Sequence, residues 1–562
     1  MIFSFHIFKI IQLAMLLIWC FRFHPSLRWC LVAAAIPALS LFIPGSYESG
    51  DFTAHIVRTM DLVSSLQHGI FPVRWAWLLN SGYGYPLFSF FASLPYYVLS
   101  AIYLAGTSYV FGMKLYLALV YLFAVGSMWF CASAIFAQEK QSKVIATISA
   151  VLYAFTPYML INLEFRAAMG ELTGFALFPL LVFAVLRERR VLFCFTLTAL
   201  ILSHPGITLL GVPWIILLII LLKKVRMFAL PIALAGGLVS SYLIPSLVEA
   251  KFTEQAVTAQ TVWWNTKTFQ PISYLFWSPW RFGFLLQGHQ GEVAYGPGVA
   301  QWGFFAISIY LFVKKKLSQH NTRIFLALGL LTLLGLFMML PYSANVWNSV
   351  PLIRKLQFPT RIMFYPTFSL ALIGGYVFVT LGFKKLFFHA MLFLCLGWTV
   401  LNWSHRAYRI NIDDDYLRSH MSTESFQFEH LPEAMPVLKQ NGITPRTSAF
   451  SIQDGRMTAK AEIVEPIIRK YIVDVQRDSV FQENTLFFPG WIAIVDGRER
   501  DLTIAQNGTM LVSLHPGETS LEFIFTNTPI REWSNRISAI FLGIVTVWVY
   551  LQFKTVERKR HA

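Results

Sequence analysis

The residues able to do chemistry in this 562-residue chain are sparse, and the densest group comes early. The run Gly50-Asp51-Phe52-Thr53-Ala54-His55-Ile56-Val57-Arg58 puts Asp51, His55 and Arg58 at i, i+4 and i+7, so on a helix the three share one face. A carboxylate beside an imidazole and a guanidinium can take a proton from a hydroxyl or hold a metal ion, while the cation binds phosphate. The same residues also fit a plainer role, with Asp51 capping a helix after Gly50 and the others lying on a solvated stripe. A second concentration lies at 249–297, where Trp263, Trp264, Trp277 and Trp280 stand among Phe and Tyr with Arg281, His289 and Glu292. Aromatic faces of this kind stack on sugars; they also make the belt that Trp and Tyr form at any membrane–water interface.

The elements that position these residues belong to a membrane. The chain is 56% hydrophobic and 13% charged, with mean hydropathy +0.56, too little charge to cover a soluble surface of this size. Hydrophobic runs recur near the ~20 residues that cross ~30 Å of hydrocarbon. The +16 formal charge sits in short clusters between those runs, as orientation in a bilayer requires, which argues against nucleic acid as a partner. Lys140 with Lys143, Arg187–Arg190, Lys223–Arg226, Lys314–Lys316, Lys384-Lys385 and the tail Lys554–Arg560 all fall on one face if the spans run 113–137, 144–162, 171–186, 191–204, 207–222, 227–248, 298–313, 323–341, 362–382, 386–403 and 534–553. The other face then receives 163–170, 249–297, 342–361 and 404–533.

The first loop, 45–112, is external in this register if residues 27–44 make the first span and 88–106, with Pro95 at its middle, is a re-entrant or interfacial helix. Ile7–Phe21 is short and carries Lys9, and is read as non-crossing. Ionisable residues avoid the span centres and gather at the ends, among them Lys114, Glu171, His204, Glu249, Arg323 and Arg536. That placement speaks against an ion-coupled carrier with a midplane site and for a site at the outer edge, open to a lipid-anchored substrate. The five cysteines all lie in hydrophobic runs, implying neither a disulfide framework nor a Cys metal site. From about Met457 to Phe525 the pattern alternates with period two and is punctuated by Asp496-Gly497, Asn507-Gly508 and Pro516-Gly517, which predicts an antiparallel β-sandwich. A helix is expected within the more polar 413–440.

Further motifs carry a family resemblance. After Asp51-x3-His55 come Arg74-Trp75 and Gly82-Tyr83-Gly84-Tyr85-Pro86 before an aromatic helix. Then follow Glu164-Phe165-Arg166-Ala167-Ala168-Met169-Gly170-Glu171, Ser203-His204, Leu356-Gln357-Phe358-Pro359-Thr360-Arg361, and Phe488-Pro489-Gly490-Trp491. This order resembles the YfhO-type bacterial membrane proteins, and equally the "6-pyruvoyl-tetrahydropterin synthase-related" membrane proteins, though no pterin-synthase metal site is present. Both resemble the GT-C superfamily of polytopic glycosyltransferases, whose donors are sugars on polyprenyl phosphate. Thr360 stands where that pattern usually has Trp, which puts stacking rather than charge in question.

The resemblance implies an all-α polytopic protein of the bacterial inner membrane, with about 12 transmembrane helices. Its parts would be a GT-C-like domain over 1–403, an extracytoplasmic domain over 404–533 that is β-rich from about 447, and a final span with a basic tail over 534–562. It implies Asp51 as the carboxylate that activates the acceptor hydroxyl or holds a divalent cation. Arg58, Arg166 and Arg361 become the residues for the donor phosphate, with Glu171 and His204 in support and His55, Arg74, Trp277 and Trp280 lining the substrate. The partners it implies are the bilayer, a polyprenyl-phosphate-linked sugar and a cell-envelope acceptor. The residues alone also fit plainer roles: an Arg166–Glu171 ion pair closing a loop, a helix-end His204 and an interfacial Arg361. Two rival functions share the compartment, a flippase for a lipid-linked glycan and a non-catalytic GT-C scaffold that binds a glycan or an assembly partner.

Overall fold

The computed structural model describes residues 2–47, 49–253, 269–276, 296–356, 358–382, 384–402, 408–409, 412–420 and 446–561. The chain is mostly helical, with antiparallel strands gathered near the C-terminus. It divides into two compact units, neither continuous in sequence. One holds Met1–Phe52, Val110–Ile232 and Thr261–Asn411; the other holds Thr53–Tyr109, Ala233–Gln260 and Ile412–Ala562. Division by contact is therefore not division by chain order at 403, because most of the first loop shares a unit with the β-rich region.

Among the described residues, five helices are long and apolar enough to cross a bilayer, or seven if each bent pair is one span. They include Tyr109–Ile135, Met169–Leu186, Gln319–Met338, Pro359–Gly382 and Pro529–Lys554. The expected span 144–162 is Ser142–Ala154 followed by Pro157–Phe165 at 53°, and 227–248 is Val225–Leu238 followed by Ser240–Phe252 at 67°. Those expected at 191–204, 207–222, 298–313 and 386–403 appear as helices of 12, 17, 15 and 17 residues. The chain is a multi-pass membrane protein by this measure.

In the first unit the helices share an arrangement. Met169–Leu186 carries Glu171 in its first turn and is followed by Arg187. Arg190–Ile201 returns toward His204, and Pro205–Leu221 leaves His204 for Lys223. Pro359–Gly382 starts beside Arg361 and ends before Lys384, from which Leu386–Asn402 runs back. The candidate residues and the basic clusters thus occupy opposite ends of the same helices. After Leu386–Asn402 the chain pairs Tyr408 and Arg409 with Tyr47 and Ser46, four residues before Asp51. Lys9, which argues in sequence against a membrane helix, is 6% exposed here. It donates to Val400 O at 2.7 Å and faces the Glu164 carboxylate, so the helix Ile2–Phe21 packs along Leu386–Asn402 and belongs to the bundle. Pro359–Gly382 is the unit's buried centre. Its Gly375 lets Ser142–Ala154 approach so closely that a Cβ would lie 2.1 Å from Ser149 Oγ and 2.6 Å from Ile145 O, the small-residue contact by which membrane helices pack.

The second unit contains the helix Phe52–Gln67 from Thr53 onward, the 11-residue helix Leu94–Leu104, and the β domain. Eleven residues span about 16 Å, half of a hydrocarbon core. The β domain has two antiparallel sheets. One orders Phe450–Asp454, Ser479–Leu486, Thr509–Leu514 and Thr503–Ile504; the other orders Met457–Glu465, Ile468–Val475, Ser520–Phe525, Trp491–Val495 and Arg498–Arg500. They face each other through Phe450 and Phe481 on one side and Tyr471 and Phe523 on the other. Asp496 and Gly497 both take positive φ, 47° and 79°, as the two-residue hairpin joining Val495 to Arg498 requires. Helix Asp414–Ser419 falls in the expected region; 421–445 lies outside the described residues.

First loop and β domain interlock through polar groups. Backbone bonds join Arg446 N to Ser81 O at 2.9 Å and Leu486 N to Tyr83 O at 3.0 Å. Trp75 sits under the strands, 5.5 Å from Trp491 and 5.1 Å from Phe525. Gly84, at φ +68°, lies so close to it that a Cβ would be 2.7 Å from Trp75 Nε1, which gives the Arg-Trp and Gly-Tyr-Gly motifs a packing role. Asp61 is fully buried and accepts from Leu78 N at 2.7 Å and Trp77 N at 3.3 Å. Arg469, 1% exposed, lies over Trp77 and pairs with Glu483, which also accepts from Tyr471 and Thr485.

Two outcomes follow. Gly375→Ala should lower the melting temperature of detergent-purified protein, by about 1–3 kcal/mol of overpacking, whereas Ala at Gly329, which has open space around it, should not. Burial pushes the Asp61 carboxyl up to about 7, against the opposing pull of its amide bonds and of Arg469. The folded state then binds this proton more tightly than the unfolded one. The resulting stability is complete below the ordinary carboxylate range and is lost as pH rises through about 7. Asp61→Asn should flatten the fall in melting temperature between roughly pH 4 and 7; an unchanged profile would remove Asp61 from that account.

Candidate functional site

The first unit assembles its polar residues on a break in the helix entering from Ser142. Pro157 opens a short helix, and the next turn, Ile161–Phe165, is π-helical, with Arg166 N bonded to Ile161 O at 2.8 Å. Wide turns of this kind free backbone and swing side chains out of register, and recur at functional positions. Ala167 follows at φ +50°, a costly conformation for a residue with a Cβ, and Met169–Leu186 then begins in a new direction. The reversal brings Asn162, Arg166 and Glu171 together.

Glu171 is 1% exposed and is the hub. One carboxylate oxygen takes Arg166 Nη1 at 2.8 Å and lies 3.6 Å from Arg361 Nε. The other accepts from the Tyr158 hydroxyl and from Asn162 Nδ2 at 3.4 Å, while Asn162 Oδ1 accepts from Arg166 Nη1 at 3.0 Å. Arg361 enters from the far side of the unit's sequence, on the turn Pro359–Met363; it donates to Leu356 O at 2.7 Å and lies over the Phe358 ring at 5.1 Å. Phe358 thus supplies an aromatic face beside Arg361, and the neighbouring Thr360 is buried. His204 caps Pro205–Leu221 by accepting Ile207 N at its Nδ1, 3.1 Å away, which leaves the neutral ring's proton on Nε2. It packs against Gly170, where a Cβ would lie 3.4 Å from its ring, and feels the charges of Glu171, Arg361 and Arg166.

Asp51 joins this group through backbone. Gly50 N and Asp51 N donate to Phe165 O and Arg166 O at 2.8 and 2.9 Å, so Asp51 begins its excursion directly against the arginine's own peptide. The start of that loop is held by Lys114, 4% exposed, whose ammonium donates to Ile43 O at 2.6 Å and to Gly45 O. The capping role expected of Asp51 belongs to Ser49, whose Oγ accepts Phe52 N at 2.9 Å. Among the described residues the Asp51 carboxylate has no hydrogen bond, and it is half-buried.

The structure thus gathers Asp51, Arg166, Glu171, His204 and Arg361 in one unit. His55, Arg58 and Arg74 belong to the other unit. His55 and Arg58 are buried, not a solvated stripe: His55 Nδ1 meets the Tyr96 hydroxyl at 2.7 Å, and Arg58 donates to the same oxygen at 3.4 Å while lying over Phe91. Arg74 bonds Ser241 O and Asn535 Oδ1. Trp277 and Trp280 lie outside the described residues. Sequence reading missed Tyr158 and Asn162; an Asn four residues before an Arg on a helical turn was the available signal.

Two cations from distant segments held on one buried carboxylate suit an anionic ligand approaching their outer edges. Among the described residues no three His, Cys, Asp or Glu side chains gather to hold a metal.

Glu171→Gln should destabilise the purified protein by about 3–5 kcal/mol, because two arginines lose their shared counter-charge in a desolvated place. Asp51→Asn should melt within about 0.5 kcal/mol of wild type. Parallel melts of both variants check this; equal losses would contradict the division into holder and reactive group.

No family model matches the chain. It is similar to an uncharacterised protein of Lactococcus lactis subsp. cremoris (strain MG1363), 23% identical over 351 aligned residues, which cover 57% of this chain and 54% of that protein. The chain therefore matches about half the length of this relative.

Proposed function

We propose that the chain is a membrane glycosyltransferase of the GT-C type. It has about 12 spans and sits in a bacterial inner membrane, with Asp51 and the β domain on the external face. It moves a sugar from a polyprenyl-phosphate-linked donor to a cell-envelope acceptor. The observation that carries this reading is the backbone seam from Gly50 and Asp51 to Phe165 and Arg166, which ties the Asp51 segment to the turn bearing Arg166, itself clasped together with Arg361 by Glu171. The opposite placement of the basic clusters on the same helices supports the external assignment.

In this mechanism the donor phosphate lies against Arg166 and Arg361, whose positions Glu171, Asn162 and Tyr158 hold. Asp51 takes the proton of the acceptor hydroxyl as its oxygen attacks the anomeric carbon. The bond from that carbon to the phosphate oxygen breaks, and its electron pair leaves with the polyprenyl phosphate. Guanidinium groups fixed before the reaction stabilise that charge without reorganising, which is where most of the barrier lowering comes from. Glu171 is a positioning residue here, since its oxygens are committed to the clasp. His204, with its Nε2 proton, is a donor to phosphate or sugar oxygen.

Asp51→Asn should reduce transfer by about 10²–10⁴-fold while the protein remains folded in the membrane. Lipid-linked sugars should accumulate and an envelope glycan lose its product in cells carrying that variant. Glycan and lipid-linked sugar profiles of gene-deleted, wild-type and D51N cells read this directly. Unchanged profiles in D51N cells would overturn the assignment.

A further inference from the structure

A second polar cluster is built wholly within the other unit, where the helix Pro529–His561 begins. Arg531 is fully buried. Its Nε donates to Glu249 Oε2 at 2.9 Å, its Nη1 to Thr526 O at 3.3 Å, and its plane lies between the rings of Phe525 and Phe488, 4.9 and 5.4 Å away. Glu249 also accepts from Thr528 Oγ1 at 2.7 Å. One turn along the helix, Asn535 Oδ1 accepts from Arg74 Nη2 at 2.7 Å; the same nitrogen donates to Ser241 O at 3.1 Å. Arg74 is 7% exposed, and burial together with the Arg531 charge pulls its guanidinium down to about 10.

Two features of this cluster are unsatisfied. It holds two guanidinium groups and one carboxylate. Arg74 Nε and Arg531 Nη2 are buried and have no hydrogen-bond partner among the described residues. Buried donors left open cost free energy, more so when charged, and native proteins fill such places with water or an ion. The surplus is positive, so the occupant that satisfies both charge and donors is an anion. The place is also suited to a lipid. A 33-residue helix is about 50 Å long, well beyond the ~30 Å of hydrocarbon. Its first two turns carry Arg531, Glu532, Asn535 and Arg536 with an exposed Trp533, the composition of a headgroup layer.

We propose that Arg74 and Arg531 form a binding site for a phosphate-bearing anion, supplied by an anionic phospholipid headgroup at the foot of the last membrane helix. The site is independent of the transferase reading and would serve to fix the final helix and the first loop to each other and to the membrane surface.

The test uses the full chain in nanodiscs. Thermal unfolding is compared in phosphatidylglycerol and phosphatidylcholine discs, and in phosphatidylcholine discs with inorganic phosphate or chloride at equal ionic strength. Native mass spectrometry counts retained lipid. Wild type should melt higher in phosphatidylglycerol and retain that lipid. Arg74→Gln should weaken its apparent affinity about tenfold or more, the expected loss of a charged hydrogen bond. Arg74→Lys, which keeps the charge, should fall between; it also serves if the Gln variant does not fold. A gain from phosphatidylglycerol alone assigns the lipid source, and an equal gain from inorganic phosphate assigns the free anion; both sustain the site. No gain from either, or an equal gain in wild type and both Arg74 variants, overturns it.

Discussion

Removing a charge from water costs several kcal/mol, and a membrane protein has the least water with which to recover it. This chain buries charge nonetheless, in several places against a counter-charge. Glu171 holds Arg166 and Arg361, Glu249 holds Arg531, Glu483 faces Arg469 and Arg446, and Lys9 faces Glu164. The segments joined in this way are up to hundreds of residues apart. Such pairs add little net stability over an apolar core, but breaking one leaves an uncompensated ion, so they act as register marks for helices that would otherwise slide.

The same constraint shapes the first unit's site. Spans stay apolar, so polar chemistry is displaced to their ends, where turns and breaks expose backbone that must find partners. The π-helical turn at Ile161–Phe165 and the left-handed Ala167 free carbonyls that the Gly50-Asp51 peptide then uses. A local irregularity thereby becomes the anchor for a loop, and the backbone of Asp51 is tied to that of Arg166, 115 positions further on. The second unit solves its version of the problem with a β domain bonded to the first loop at Arg446 and Leu486 and packed on its Trp75.

Much of this was legible in the residues. Apolar run lengths located the helices, the basic clusters gave a common end to them, and period-two alternation with Asp-Gly and Asn-Gly turns located the strands, since each follows from local periodicity and turn sterics. Helix lengths were less legible: several runs that read as full spans are helices of 12 to 17 residues, because hydropathy does not record where backbone hydrogen bonding breaks. The Asp51–His55–Arg58 spacing correctly indicated a shared helical stripe in part, yet the helix starts at Phe52 under a Ser49 cap, and His55 and Arg58 turn to Tyr96.

What the sequence determined by itself is the class of solvent the chain folds in and the type of each element, for those depend on neighbours within a turn or two. The Arg166–Glu171 pair, five residues apart, was open to the sequence. Which carboxylates Arg361, Arg469 and Arg531 meet was decided only in three dimensions, because those partners are set by packing between segments that no local spacing joins. Burial then made those choices consequential, because a buried ion pair tolerates no substitute for its partner.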